Sequence, residues 1–435
     1  MHVDRRAHPA RRLQTLALPI LLLPILLLTA LSAGCRGAET PVYTTQFIAF
    51  ESAVDLSIVG MPKQEAMAAT TEVENDFQFI RHAIHGWKPG PMVRVNELLA
   101  TGDPFAAPPS LLPLIRQSQA LATQSDNLFN PAIGHLMRLW GFHTDQPECR
   151  PPPKPRDIAR LVKAAPTMAD LYLDGIMLQS DNPAVKLDLD AVATGFAMDM
   201  AVDNLRARGV RSAMINAGGD VRAIGDRAGR AWRVPIREAG GSRVLGIIDV
   251  RGDASVVTSS DYRRNFIYEG NSYHHVIDPR TGYPAEGVHS VTVFNDGSAT
   301  LAEAAANALM VAGLDRWQEI AERMGIQHVL LIDDAGFNLA YHVRHTALPV
   351  GEIAERMGVS YVLMIDDAGT VHMTPEMAAR VELLDGDSDI AVSPIQPSTS
   401  NAGAPTADSP GSAPASNPQT KRAKTPAPAE DSATG

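Results

Sequence analysis

The stretch Thr258–Tyr283, TSSDYRRNFIYEGNSYHHVIDPRTGY, packs two adjacent arginines, two adjacent histidines, Asp278, Arg280 and several hydroxyls into one short run. "NFIY" and "SYHHVID" are alternating runs on either side of "EGN", which predicts a β-hairpin. In "HVIDPRTG", strand alternation places His275 and Ile277 on one face and Val276 on the other. Asp-Pro and Thr-Gly then predict a turn. Histidine is the natural general base near neutral pH, and Asp278 is a carboxylate close enough in sequence to orient it. Arg280 is of the residue type that suits phosphate. An Asp-Pro-Arg-Thr-Gly run also serves as a plain turn, and taken alone the two readings weigh about equally, because turns of this type are common.

Working outward, "SVTVF" predicts a strand and Ala299–Ala312 a helix ended by Gly313. Upstream, "INAGGDVRAIG" reads as a strand, two glycines and then Asp220 and Arg222, with room for close backbone approach to a ligand. "KLDLDAVATGFAMD" puts Asp188 at the end of an alternating strand where a helix opens. That helix is predicted over Ala191–Arg208, with Gly209 as its stop. A helix start offers free N–H groups to phosphate, although an Asp there is often only a cap. In "NLFNPAIGHLMRLWGF", Asn127–Phe142, Phe129 and Trp140 could stack on an aromatic ligand or simply fill core. Strands and helices interleave without strict βαβ order, so the fold class expected is α/β in the α+β sense, mixed sheets with packed helices.

Composition bounds the rest. The chain has 435 residues, 45% hydrophobic and 20% charged, as a globular protein with a core requires. Its net charge of −11 sets nucleic acid aside as a partner. Residues 1–35 read as a lipoprotein signal peptide: Arg5, Arg6, Arg11 and Arg12, an apolar Leu16–Leu28, then Ser32, Ala33, Gly34 and Cys35. An uncleaved membrane helix is the alternative, disfavoured by prolines at 19 and 24 and by the short apolar run. Cleavage before Cys35 predicts a membrane-anchored protein, lipidated at that residue, on the periplasmic side. Cys149, in "PECRPPPKP", reads as a surface thiol without a role. Residues 36–387 form the expected catalytic domain, and 388–435, rich in Pro, Ser and Ala, the expected disordered tail. Within the domain, residues 319–336 and 352–369 are near-identical copies, which fits one tandem duplication better than a solenoid. The second copy is expected to add an edge strand and a surface helix, removable by deleting Phe337–Gly369 at little cost.

Together "VVTSSDYRRNF", "YHHVIDPRTGYP" and "INAGGDVRAIG", in this order with the two blocks before them, resemble the FAD:protein FMN transferases of the ApbE type, over roughly Phe50 to Leu384. The resemblance implies a single T-fold-like catalytic domain that takes FAD and Mg²⁺. It implies transfer of FMN to a Ser or Thr hydroxyl of a partner flavoprotein, with release of AMP. His275 would be the base. Asp188 and Leu128-Phe129-Asn130 would contact FAD, Ile277 would line the flavin site, and Trp87 of "HGWKPG" would lie against the ring. The metal would take the Ala191 carbonyl and the side chains of Glu303 and Asn307, four apart on one helix face. Several positions depart from the family pattern. Glu303 and Asn307 stand for Asp and Thr, Thr194 for a Lys near the FAD phosphates, Asp190 for a Gly, Asn130 for an Asp, and Phe50-Glu51-Ser52 for Met-Gly-Thr. A non-catalytic FAD-binding lipoprotein and an FAD pyrophosphatase are the alternative functions.

Overall fold

The computed structural model describes residues 40–144, 147–237, 244–333 and four short strands within 363–394. The signal segment with Cys35, almost all of the second repeat copy, and residues 395–435 lie outside the described residues.

The chain opens with a hairpin, β1 (Val42–Ala49) and β2 (Ser52–Val59), followed by helices α1 (Lys63–Ile84) and α2 (Pro91–Leu99). A short strand β3 (Phe105–Ala106) leads into α3 (Leu112–Gln124), α4 (Gly134–Trp140) and α5 (Pro155–Ala164). Strands β4 (Leu171–Asp174) and β5 (Met177–Ser180) complete a small sheet with β3. Helix α6 (Asp190–Ala207) precedes β6 (Ala213–Ala217) and β7 (Asp220–Ile224), then β8 (Trp232–Arg237) and β9 (Val244–Val250). Next come β10 (Ala254–Ser260), the hairpin β11 (Asn265–Tyr268) and β12 (Asn271–His274), and β13 (Val288–Asp296). The long helix α7 (Ala299–Arg323) and β14 (His328–Asp333) follow.

The central sheet has seven strands in the order β1-β2-β6-β7-β10-β13-β14, every neighbour antiparallel. Helices α6 and α7 pack on one another, and α7 lies on β10 and β13. Their small residues permit this. A Cβ at Gly195 of α6 would stand 2.6 Å from the backbone of Ala299, so only glycine lets the two helices approach so closely. Helix α7 is likewise rich in buried alanine: Ala302, Ala304, Ala305, Ala306 and Ala308 are wholly buried. The mixed α+β architecture anticipated from the sequence is thus the one observed.

Helical geometry breaks at Gly313, as expected: that residue takes φ 65°, ψ −174°, and a second helical segment follows it to Arg323. Three local expectations need correction. Strand β12 ends at His274, so His275 and Ile277 lie beyond it, and Val276 between them also reaches the cavity described below. The segment before Asp188 is no regular strand and makes only a single bridge, Lys186 with Ile133. Finally, "TVHM" does not extend the sheet behind the first repeat copy. The first copy supplies the edge strand β14, whereas β15 (Leu363–Ile365), from the second, pairs with β16 (Val371–Met373) in a separate sheet with β18 (Val392–Pro394). Between them β17 (Val381–Glu382) pairs with β9.

Candidate active site

A cavity opens where the ends of β7 and β10, the start of α6, the middle of α7 and the segment after β12 converge. Its walls include Leu128, Phe129, Asn130, Asp188, Ala191, His275, Ile277, Glu303 and Asn307. These nine side chains or carbonyls come from four separated stretches of sequence, and each was singled out above.

His275 is held twice by one carbonyl. Its backbone N–H donates to Arg264 O at 3.1 Å, and its Nδ1 lies 3.2 Å from the same oxygen. A carbonyl can only accept, so Nδ1 carries the proton and Nε2 is left with its lone pair. Burial, then the charges of Arg264 and His274, pushes the imidazole pKa down to about 3. The ring is therefore neutral near pH 7, in the tautomer a base requires.

The opposite wall is acidic. Glu303 Oε2 accepts the Gly195 N–H at 2.7 Å. Burial, and the charge of Asp220 after it, raises the Glu303 pKa well above the ordinary carboxylate range. Asp190 is pushed up to about 6 by burial and by Asp188, even though Arg264 Nη1 lies 3.3 Å from its Oδ2. Asp220 is raised by burial, despite Arg263 at 3.1 Å and the Thr258 N–H at 2.9 Å. Carboxylates that raise one another's pKa form a site short of positive charge.

That deficit is the test of fit for a cation. Among the described residues no group of three His, Cys, Asp or Glu side chains could hold a metal ion. The candidate set is mixed instead: the Glu303 carboxylate, the Asn307 amide and the Ala191 carbonyl. All three line the cavity, and Asn307 Nδ2 stands 3.2 Å from Ala191 O. Oxygen donors beside uncompensated negative charge fit a hard cation such as Mg²⁺. A half-turn of the Asn307 amide would present Oδ1 to a cation.

Five anticipated residues stand elsewhere. Asp278 and Arg280 point away from this cavity, into the opposite side of the turn. Arg280 Nε donates to Asp278 Oδ1 at 2.9 Å and Nη2 to Oδ2 at 2.8 Å, a bidentate pair. Nη2 also donates to the carbonyl of Val311, 2.9 Å away and just ahead of the kink at Gly313 in α7. Through Nε and Nη2 the pair braces the turn against α7. Phe50 lies at the β1–β2 turn with φ 49°, packed edge-on to Phe77 at 6.0 Å. Trp87 has the guanidiniums of Arg81 and Arg264 each 5.7 Å from its ring centre, so cations occupy the surroundings expected for a flavin. Thr194, on α6, is not part of the cavity wall.

Asn130 does line the cavity, but its amide serves the fold, donating to Pro166 O and accepting from Ala132 N. Trp140 is wholly buried, with its Nε1 donating to Gly282 O at 2.7 Å, which settles it as core. The sequence reading missed the Asp220–Arg263 pair and the cation Arg264. The signal was present in "GGD" and "YRR", yet nothing local says that residues 43 apart meet.

Residues 50–330 match the ApbE family. This chain belongs to the ApbE family. A FAD:protein FMN transferase of Rhodobacter capsulatus is 36% identical over 361 residues, which is 82% of this chain. This chain spans 62% of that relative's length. A FAD:protein FMN transferase of Vibrio cholerae is 34% identical over 242 residues, 54% of this chain and 71% of the relative. Among solved structures, the ApbE protein of Thermotoga maritima superposes with TM-score 0.62 at 28% identity, covering 68% of this chain and 96% of that one. The flavinyl transferase ApbE of Pseudomonas stutzeri, in its apo form, gives 0.60 at 28% identity, covering 68% and 92%. The matched stretch takes in the cavity around His275 and the Asp-Pro-Arg turn behind it.

Proposed function

We infer that this chain transfers the FMN half of FAD to a Ser or Thr hydroxyl of a partner flavoprotein, releasing AMP. The observation that carries the reading is His275: neutral, its proton fixed on Nδ1 by the Arg264 carbonyl, with Nε2 free in the cavity. Nε2 takes the proton of the incoming hydroxyl. The hydroxyl oxygen bonds to the FMN phosphorus as the bond from that phosphorus to the AMP oxygen breaks, and AMP leaves. Arg263 and Arg264, which line the cavity while paired with Asp220 and Asp190, would bring positive charge towards the pyrophosphate. Glu303, Asn307 and the Ala191 carbonyl would hold Mg²⁺, which when bound neutralises charge on the phosphates. Phosphoryl transfer asks for little more than this positioning and charge neutralisation.

The test is incubation of the purified protein with FAD, Mg²⁺ and a candidate acceptor, followed by the acceptor's intact mass. Gain of one FMN supports the transferase. FAD consumed to FMN and AMP with the acceptor unchanged makes the protein a pyrophosphatase. FAD bound but unconsumed makes it a carrier. Glu303→Ala should abolish Mg²⁺-dependent transfer, and an unchanged Mg²⁺ dependence would remove Glu303 from the metal site. The same reading places the protein on the periplasmic side of a membrane, anchored by lipid at Cys35, and Cys35→Ser should release it from the membrane fraction.

A further inference from the structure

Two charged residues of the quoted motifs do not line the cavity: Asp199, which ends "KLDLDAVATGFAMD", and Arg222 of "INAGGDVRAIG". The fold brings them together. Arg222, buried on β7, donates through Nε to Asp199 Oδ1 at 2.8 Å. Its Nη1 donates to Asp253 and, at 3.3 Å, to the carbonyl of Ala254, the first residue of β10. The Asp199 carboxylate is thereby fixed to the sheet on which α7 lies.

Asp199 turns the rest of its carboxylate onto the start of α7. Oδ1 accepts the Ala299 N–H at 2.9 Å, and Oδ2 the Thr300 N–H at 3.0 Å. Oδ2 also accepts the hydroxyls of Ser298 and Thr300, each at 2.7 Å. The first N–H groups of a helix have no partner within it, and the residue just before the helix usually caps them. Ser298 holds that place here and accepts the Leu301 N–H. Asp199 is a second cap, supplied by another helix, and it ties α7 to α6.

The tie lies next to the candidate cation site. Asp199 comes four residues after Gly195, and Thr300 three before Glu303. The tie and the Gly195–Glu303 hydrogen bond are therefore neighbouring rungs on the same two helix faces. The cation donors straddle this seam, with the Ala191 carbonyl on α6 and the Glu303 and Asn307 side chains on α7. A slide of one helix along the other changes the spacing between them.

We propose that Asp199 is a positioning residue that fixes the register of α6 against α7, and so holds the cation donors to the spacing Mg²⁺ requires. The proposal rests on the cation site of the transferase reading. Asp199 acts only through the two helices.

The experiment titrates the FAD-loaded full chain, without acceptor, with Mg²⁺ and in parallel with Ca²⁺, by calorimetry. Asp199→Asn should weaken Mg²⁺ binding about tenfold and Ca²⁺ binding no more than about twofold, because Mg²⁺ demands a near-octahedral ligand set and Ca²⁺ accepts looser ones. Thr300→Val is the milder variant. It keeps the shape of a wholly buried side chain and deletes only the hydroxyl given to Asp199, so it guards against misfolding of Asp199→Asn. It should shift the Mg²⁺-to-Ca²⁺ ratio in the same direction by a few-fold. Trp232→Phe, which loosens the buried contact between β8 and the sheet far from both helices, should lower the melting point and leave the ratio unchanged. A ratio untouched by Asp199→Asn and Thr300→Val overturns the proposal. An equal shift in Trp232→Phe also overturns it, since general loosening would then be the cause. A parent that binds no Mg²⁺ brings down the cation site and the proposal with it. A parent whose ratio responds as expected but which transfers no FMN brings down the transferase reading alone.

Discussion

The two ends of Thr258–Tyr283 look equally functional in sequence and do opposite things in the fold. The first end, with the residues up to Ile277, forms cavity wall: Thr258, Ser259, Ser260, Arg263, Arg264 and His275 all face the site. Three residues past His275, the Asp278–Arg280 pair turns its back on the cavity and ties itself to the Val311 carbonyl. Gly282 completes that tie. It takes φ 75°, and a Cβ there would meet Ile158 at 2.6 Å, so the turn is wedged between α5 and the kink in α7. A dense motif therefore mixes groups that meet the ligand with groups that hold them in place.

The sharpest way to break this division is His275→Ala. It should leave FAD binding near normal and slow FMN transfer about a hundredfold or more, the usual worth of a general base. Equal turnover in single-turnover assays would remove His275 from the mechanism. Arg280→Met should do the reverse. It leaves the buried Asp278 carboxylate without its guanidinium, a cost of roughly 1–3 kcal/mol, read as a melting point several degrees lower. Transfer per folded molecule should stay within a few-fold. A hundredfold kinetic loss with unchanged melting would put Arg280 back among the reacting groups.

A third prediction concerns pH. His275 is held at about 3 in the fold against an ordinary 6.5, so the unfolded chain binds its proton first as pH falls. The stability this contributes is full above pH 6.5 and is lost as pH falls from there through 3. Asp190, raised to about 6, acts in the opposite sense, its penalty easing as pH falls through 6 towards the ordinary carboxylate range. The difference between the parent and His275→Asn cancels Asp190. Parallel melting curves for the two between pH 7 and 4 would mean that the imidazole is not buried as described. The smallest effect is predicted for Thr194→Lys. Because Thr194 does not line the cavity, calorimetry should show FAD affinity changed by less than about twofold, the scale of a screened surface charge.

How much of this was legible in the sequence depended on distance along the chain. The hairpin, the α6 helix and its Gly209 stop follow from local pattern and came out as read. His275, Asp188, Ile277, Glu303 and Asn307 were found because the motifs carrying them resemble a family. What failed was direction. Whether Arg280 faces ligand or brace depends on Val311, 31 residues away, and whether Trp87 is open depends on Arg81 and Arg264. No periodicity encodes those meetings. The absent lysine at Thr194 told only part of the charge balance: Arg263 and Arg264 bring cations to the wall from beyond the end of β10, yet the carboxylates of Glu303, Asp190 and Asp220 still stand raised beside them.

Gly195 offers a last consequence. Its N–H donates to the Glu303 carboxylate, and its missing Cβ sets the separation of α6 from α7. In a saturation library, every substitution there would push apart the helices that carry Asp190 and Glu303. Such a screen would score position 195 as intolerant as a reacting residue. The most constrained ruler in this site is a residue with no side chain, and mutational sensitivity alone would misfile it as chemistry.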